Sequence, residues 1–245
     1  MSKDEVIKTS KHLVAFIDIL GGKHHIKEDN DNENLNKLKI LYDNFRNEYD
    51  RKNNSDNRYI KINIFSDNIL IAAQTHYENT RMVNLTIKRF FESVSNFQTE
   101  ALIKGFIVRG GIEYGDLYIN NNDFVWGTAL IESYQLEKSA IYPRIKIGKK
   151  TLDLLREIDN KFHNKIFIFK HLPILQENNV KYIDYLKNLK KSQDEDIILS
   201  DLSELITEQI SECVGKKRDK WIWLAKKFNE YCDINEHEAL LIERI

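Results

Sequence analysis

Two aspartates stand in surroundings that do not favour them. Asp18 lies within Phe16-Ile17-Asp18-Ile19-Leu20-Gly21-Gly22, and Asp67 within Ile64-Phe65-Ser66-Asp67-Asn68-Ile69-Leu70-Ile71-Ala72, both otherwise apolar runs. A carboxylate among apolar side chains is costly unless an opposite charge lies close. If the strand carrying Asp18 runs beside a hairpin carrying Asp67, both carboxylates reach the same sheet edge, where oxygen donors of this kind suit one or two hard divalent cations. A local reading stays open for each alone: Asp18 as a cap to the turn before Gly21, Asp67 as an ordinary hairpin residue.

The elements that must bring the pair together are read from periodicity. Residues 12–19 form a short apolar run bounded by Lys11 and Gly21-Gly22, which predicts a buried strand with Asp18 near its C-terminal end. Leu35, Leu38, Leu41, Phe45 and Tyr49 recur at helical spacing. Residues 59–73 hold two β-rich stretches interrupted by Ser66-Asp67-Asn68, which predicts a hairpin with Asp67 at its tip. Val83, Ile87, Phe90, Phe91, Val94 and Phe97 stripe a second helix, followed by strand over 106–112 continuing toward Ile119, a turn at 120–123, helix over 127–139 and strand over 142–147. This order predicts an α+β fold with a mixed sheet and helices on one face. Further on, residues 151–158 read as helix, 166–169 and 180–185 as strand, and the regions near 202–214 and 221–231 as helix. No internal repeat or Gly, Pro or Ser linker marks a boundary.

The chain has 245 residues, 42% hydrophobic and 31% charged, which provides enough apolar surface for a folded core. Thirty-seven basic and 38 acidic residues leave a net charge of -1, so no global field attracts DNA or an anionic membrane, and an anion must meet a local site. The run Gly215-Lys216-Lys217-Arg218-Asp219-Lys220 reads as a solvated face, and the stripe Trp221, Leu224, Phe228 as core or dimer contact. His24-His25 reads as a solvated turn, Cys213 and Cys232 have no CxxC partner for zinc, and there is no GxxxxGK[ST] phosphate loop. Two cysteines and a start without an apolar segment predict a reducing cytoplasm. The apolar runs fall short of the roughly 20 residues needed to span a bilayer. Neither nucleic acid nor membrane is expected as a partner.

Several segments together resemble the catalytic domain of class III nucleotidyl cyclases over about residues 12–148. Phe16-Ile17-Asp18-Ile19-Leu20-Gly21 matches that family's first metal motif, Asp67 stands where its second metal aspartate stands, with Ser66 in place of the usual preceding glycine, and Arg109-Gly110-Gly111-Ile112-Glu113-Tyr114-Gly115 matches its next strand. Trp126-Gly127 through Leu136-Glu137 looks like its later helix. Ala15 through Gly21, Phe65-Ser66-Asp67, Val108 through Ile112, Gly127-Thr128-Ala129-Leu130 and Ala140-Ile141-Tyr142-Pro143-Arg144-Ile145 are most similar to the pyrimidine cyclases of bacterial Pycsar anti-phage systems.

The resemblance implies a ferredoxin-like palm over residues 1–160, with 161–245 as an α/β elaboration of the same domain. It implies a homodimer that cyclises UTP or CTP to the 3′,5′-monophosphate, which activates a downstream effector. Two Mn2+ or Mg2+ ions would be held by Asp18, Asp67 and the Ile19 carbonyl, with Arg109 and Arg144 as catalytic cations on the triphosphate. Base-reading positions fall at Lys61 and Phe124, with Tyr59 and Asn63 on the same strand face as Lys61. The family's ribose-binding asparagine and transition-state arginine fall at Ile131 and Gln135, a departure that also admits a noncatalytic nucleotide binder. Another palm enzyme, a purine or dinucleotide cyclase, uses the same paired carboxylates.

Overall fold

The central strand, β1 (Ser10–Ile19), is buried on both faces. Leu13, Ala15, Ile17 and Ile19 enter the main core, while Val14 and Phe16 join a smaller cluster with Leu70, Ala72, Leu117 and Ala129. A strand apolar on both sides has to sit inside a sheet covered from both directions. The computed structural model describes residues 7–27, 29–52, 60–75, 80–120, 124–161, 168–191, 194–237 and 240–242.

After β1 come α1 (Gly22–Lys27), α2 (Glu33–Lys52), β2 (Ile60–Phe65), β3 (Asn68–Gln74), α3 (Thr80–Ile103) and β4 (Val108–Ile119). The strands lie in the order β2-β3-β1-β4, each pair antiparallel. Two β-α-β units interleaved in this way are the ferredoxin-like arrangement. The fold is α+β, as the sequence predicts. Leu41 and Phe45 of α2 and Phe90, Phe91 and Phe97 of α3 are buried beneath the sheet. Burying each such aromatic side chain contributes about 1.5–3 kcal/mol.

The expected single helical face is where the structure differs. Following β5 (Val125–Trp126), α4 (Thr128–Lys138) lies against the opposite face of the sheet. The reason is local: a Cβ at Gly111 would meet the Ser133 carbonyl oxygen at 2.3 Å, so a bare backbone on β4 lets the helix sit directly on it. The end of β4 curls with β5 into a second hairpin, Tyr118 opposite Trp126.

The chain continues through β6 (Ile145–Ile147), α5 (Lys149–Lys161), α6 (Ile168–His171), β7 (Ile174–Glu177), β8 (Val180–Ile183), a 3-10 segment (Leu186–Lys191), α7 (Glu195–Glu212) and α8 (Gly215–Ile234). β6 pairs parallel to β4, and β8 then β7 extend the same sheet through the rung Lys146–Tyr182. Of residues 166–169, read as strand, 166 and 167 lie outside the described residues and 168 and 169 belong to the short helix α6; β7 takes up the strand character just beyond Pro173. A polar staple fixes this region to α3: Thr99 Oγ1 donates to the Tyr185 carbonyl at 2.7 Å and Asn188 Nδ2 to Ser95 Oγ at 2.7 Å. Trp221, Leu224 and Phe228 of α8 are core residues. No helix among the described residues is long and apolar enough to cross a membrane.

Candidate active site at the β1 and β2–β3 corner

With Ile17 and Ile19 in the core, alternation turns Asp18 to the α4 face, where it pairs across the sheet with Asn68 on β3 and Arg109 on β4. Asp67 is the second residue of the two-residue turn Ser66-Asp67. Ser66 holds φ 55, the left-handed region. The Ile19 amide donates to the Asp67 carbonyl at 3.1 Å, which docks the hairpin tip onto the end of β1. Asn68 Nδ2 donates to Asp67 Oδ1 at 3.1 Å. Oδ2 lies over Gly22, where an added Cβ would stand 2.0 Å from it; any side chain there would displace the carboxylate. The structure thus brings Asp18 and Asp67 to one corner.

Arg109 backs this corner. Its Nε and Nη2 reach Asp18 Oδ2 at 3.3 and 3.2 Å, and Nε also lies 2.7 Å from Oε1 of Glu137, whose side chain is 1% exposed. The Glu137 oxygens are within ion-pair reach of Arg109 but meet no donor at hydrogen-bonding geometry among the described residues. Burial, foremost, pushes the Asp18 and Glu137 carboxyls above the usual range; Arg109 opposes it, while Asp67 raises Asp18 further and Asp18 raises Glu137. Lys138 adds positive charge beside both. Lys220, from α8, is pushed down first by burial and then by the Arg109 charge, against the pull of Asp18.

The other expected residues are distributed differently. Lys61 lies on the same sheet face as Asp18 and donates to the Ile119 carbonyl at 3.1 Å; Asn63 is two residues nearer the hairpin tip, opposite Leu70. Phe124 is 56% exposed in the β4–β5 turn, its ring 6.0 Å from that of Tyr118. Lys61 and Phe124 therefore approach one hairpin, at the far end of β4 from Arg109. Arg144 is not brought to Asp18: its guanidinium lies 5.6–6.0 Å from the rings of Tyr142, Tyr182 and Trp223 and 3.3 Å from Glu177. Ile131 and Gln135 are exposed on the outer side of α4. Tyr59 lies outside the described residues.

The sequence reading missed Tyr42, Lys138 and Lys220, and took Glu137 only as part of a motif. Lys220 carries no local signal, being one cation in a run that otherwise faces solvent. Tyr42 had one: a hydroxyl on the apolar face of α2, directly after Leu41. His24 and His25, read as a turn, fall within α1, and the His25 ring packs edge-on against Phe106 at 5.4 Å.

No group of three His, Cys, Asp or Glu among the described residues converges on a point where an ion would be held by protein alone. Two carboxylates and the Ile19 carbonyl nevertheless suit Mg2+ or Mn2+, which keep waters and accept substrate phosphates for the rest of the shell. One feature of the corner fits such a group, the Gly22 cradle under Asp67; on α2, the buried Tyr42 hydroxyl meets no hydrogen-bond partner among the described residues, and burial, then the charges of Asp67 and Asp18, lowers its acidity.

No protein-family model and no curated protein matches this chain. Among solved structures it is similar to the guanylyl cyclase Cya2, at 12% identity and a TM-score of 0.44, covering 72% of this chain and 93% of that one. It is also similar to the monomeric guanylyl cyclase domain of the RhoGC fusion protein from the aquatic fungus Blastocladiella emersonii, at 16% identity and a TM-score of 0.43, covering 72% and 96%. A third is the catalytic core of a rhodopsin-guanylyl cyclase with converted specificity in complex with ATPαS, at 15% identity and a TM-score of 0.40, covering 62% and 84%. Similarity at this level assigns no activity to this chain.

Proposed function

We propose that this chain is a nucleotidyl cyclase acting on a pyrimidine nucleoside triphosphate. The observation that carries the reading is the corner itself: Asp18 and Asp67 joined through the Ile19–Asp67 backbone bond, with Arg109 behind Asp18. Asp18, Asp67 and the Ile19 carbonyl would hold the divalent cations, which neutralise the triphosphate and acidify the ribose 3′-hydroxyl. In the reaction the 3′-hydroxyl would give its proton to water, its oxygen would bond to the α-phosphorus as the bond to the bridging oxygen of the β-phosphate breaks, and pyrophosphate would leave with the electron pair. The chain's own part is positioning and charge. Arg109, held by Asp18 and Glu137, supplies positive charge from behind the Asp18 carboxylate, and Lys138 and Lys220 would add to its field. Arg144 is engaged by Glu177 and the aromatic rings, so it supports the wall rather than the substrate.

The pyrimidine preference rests on the motif resemblance and on Phe124 and Lys61, which flank one hairpin: a bulky ring and one amine read a one-ring base with less strain than a purine. A homodimer is supported by an exposed apolar set on the α4 side of the sheet, Phe65 at 78%, Ile131 at 57% and Tyr134 at 43%, suited to cover by a second copy. The cyclic product would act on an effector in anti-phage signalling. Ile131 and Gln135, apolar and neutral where the resembled family has a binding asparagine and an arginine, favour one second reading, nucleotide binding without turnover.

Purified protein with Mn2+ and each of the four triphosphates, with products read by mass spectrometry, tests the proposal. Cyclic UMP or cyclic CMP is the expected product. Faster turnover of ATP or GTP overturns the base assignment, and tight binding without product selects the second reading.

A further inference from the structure

A cavity of about 370 Å³ opens between β7, β8, the 3-10 segment and the C-terminal half of α8, and no residue of the Asp18–Asp67 corner lines it. Trp223, Lys227 and Tyr231 recur at helical spacing along one side of α8 and form one wall; Tyr182 and Ile183 of β8, with Tyr185 just beyond, form the other. A hollow of this size, walled mainly by aromatic and aliphatic groups with a few polar ones, has the makeup of a small-molecule site.

The polar groups narrow the kind of molecule. Tyr231 donates its hydroxyl to Glu195 Oε1 at 2.7 Å. Tyr182 and Tyr185 are 3% and 4% exposed, and their hydroxyls meet no hydrogen-bond partner among the described residues, which leaves the acceptor to come from the cavity that both line. Lys187 and Lys190 also line it, three residues apart in a 3-10 segment, where such residues eclipse and serve one side. Lys190 donates to the neutral Asn235 side-chain oxygen at 3.1 Å, and neither lysine has a carboxylate within ion-pair distance among the described residues. The carboxylates of the lining are engaged elsewhere: Glu230 pairs with Lys227 at 2.9 Å, and Asp184 Oδ1 accepts from the Lys187 amide at 3.4 Å. Burial, foremost, holds the Asp184 carboxyl above the usual range, against the Lys187 charge. Two ammonium groups and two phenols thus remain as donors at an aromatic hollow.

The geometry points to a binding site for a small aromatic oxyanion, its ring against the Tyr182, Tyr185 and Trp223 wall and its carboxylate or phosphate toward Lys187, Lys190 and the phenol hydroxyls. Occupancy requires neither a divalent cation nor turnover, so the site stands or falls apart from the corner.

Calorimetric titration of full-length protein with naphthoate, naphthyl phosphate and the neutral naphthyl methanol is the test. At least one anion should bind about tenfold more tightly than the neutral probe, and the better of the two tells whether carboxylate or phosphate is preferred. In Lys187→Ala/Lys190→Ala that preference should vanish at an unchanged melting temperature, because both side chains are exposed. Leu175→Trp, at a lining position on β7 that is 41% exposed, should close the cavity and abolish binding of all three probes, again without loss of melting temperature. Asp18→Asn should bind the anions as wild type does, whatever becomes of its turnover. Equal affinity for the anions and the neutral probe, a preference that survives loss of both lysines, unchanged binding in Leu175→Trp, or no binding by any probe would each overturn the assignment.

Discussion

Two corners of the sheet gather charge in opposite ways. Beside β1, Asp18 and Glu137 meet Arg109, with the charges of Asp67, Lys138 and Lys220 acting on the group, yet burial still pushes Asp18 and Glu137 toward their neutral forms and Lys220 away from its charged one. Beside β7 and α8, Glu177 accepts from Lys227 at 2.8 Å and from Arg144 at 3.3 Å, and Lys227 also pairs with Glu230 at 2.9 Å. There the bond from Lys227 pulls Glu177 down, and bonds to Glu177 and Glu230 raise Lys227 against burial. The second cluster closes its charges in ion pairs, with the buried Arg144 Nε alone among its charged nitrogens lacking a hydrogen-bond partner among the described residues; the first is balanced in number and unsatisfied in place. Similar residue types make a structural clasp in the second case and, in the first, a cluster of shifted carboxyls that suits the proposed cation site.

The comparison breaks most visibly at the first corner. Asp67→Asn and Asp18→Asn should each lower turnover at least about a hundredfold in assays with Mn2+ and UTP or CTP. The metal-free Asp18→Asn protein should melt at the same temperature or higher, since burial already disfavours the charged form. Full activity in either well-folded variant would remove the corner from the chemistry.

Lys220→Ala should cost about ten- to a hundredfold in kcat/KM, while Lys216→Ala, exposed in the same basic run, should change nothing. Equal effects would return both to the solvated face that the sequence suggests.

The pH dependence of the metal-free protein should separate the corners more finely. Carboxyls whose pKa is raised in the folded state, as for Asp18 and Glu137, lend stability below the ordinary carboxylate range and lose it as pH rises through the folded value. Glu177, lowered when folded, lends stability above that range and loses it as pH falls. Melting curves between about pH 4 and 7 should therefore show Glu137→Gln gaining on wild type as pH rises and Glu177→Gln falling behind. At neutral pH Glu177→Gln should cost about 1–3 kcal/mol and leave turnover unchanged, the smallest effect on activity of the set. A large catalytic loss there would erase the distinction between clasp and site.

Much of this was legible in the residues because it is local. Periodicity placed β1, the β2–β3 hairpin, α3, β4 and α4, and the two aspartates declared themselves by standing in apolar runs. What was not legible depends on tertiary approach. Nothing near Gly111 says that α4 will lie on it, so the second helical face escaped notice. Lys220 is far from Arg109 in sequence, and only the packing of Trp221 and Trp223 brings it round. Arg144 had the chemistry of a phosphate ligand, but Tyr142, Tyr182, Trp223 and Glu177 claim it, three of them distant in the chain. The short β7 is two-sided and partly exposed, and gives no clear alternation to read.

Ser66 has a consequence for how such a chain is found at all. The connection between paired Phe65 and Asn68 is two residues long, with positive φ at the first alone, which is the pattern of a type II′ turn and calls for glycine there. Serine keeps the geometry at a strain of about 1–2 kcal/mol, which the register of the two strands can enforce. A search written in letters counts serine as a mismatch where such a turn favours glycine, although the turn still presents Asp67. Drift at turns of this kind erodes the spelling of a motif faster than its shape, and the stored strain leaves Ser66→Gly as a route to a more heat-resistant protein that leaves every charge in place.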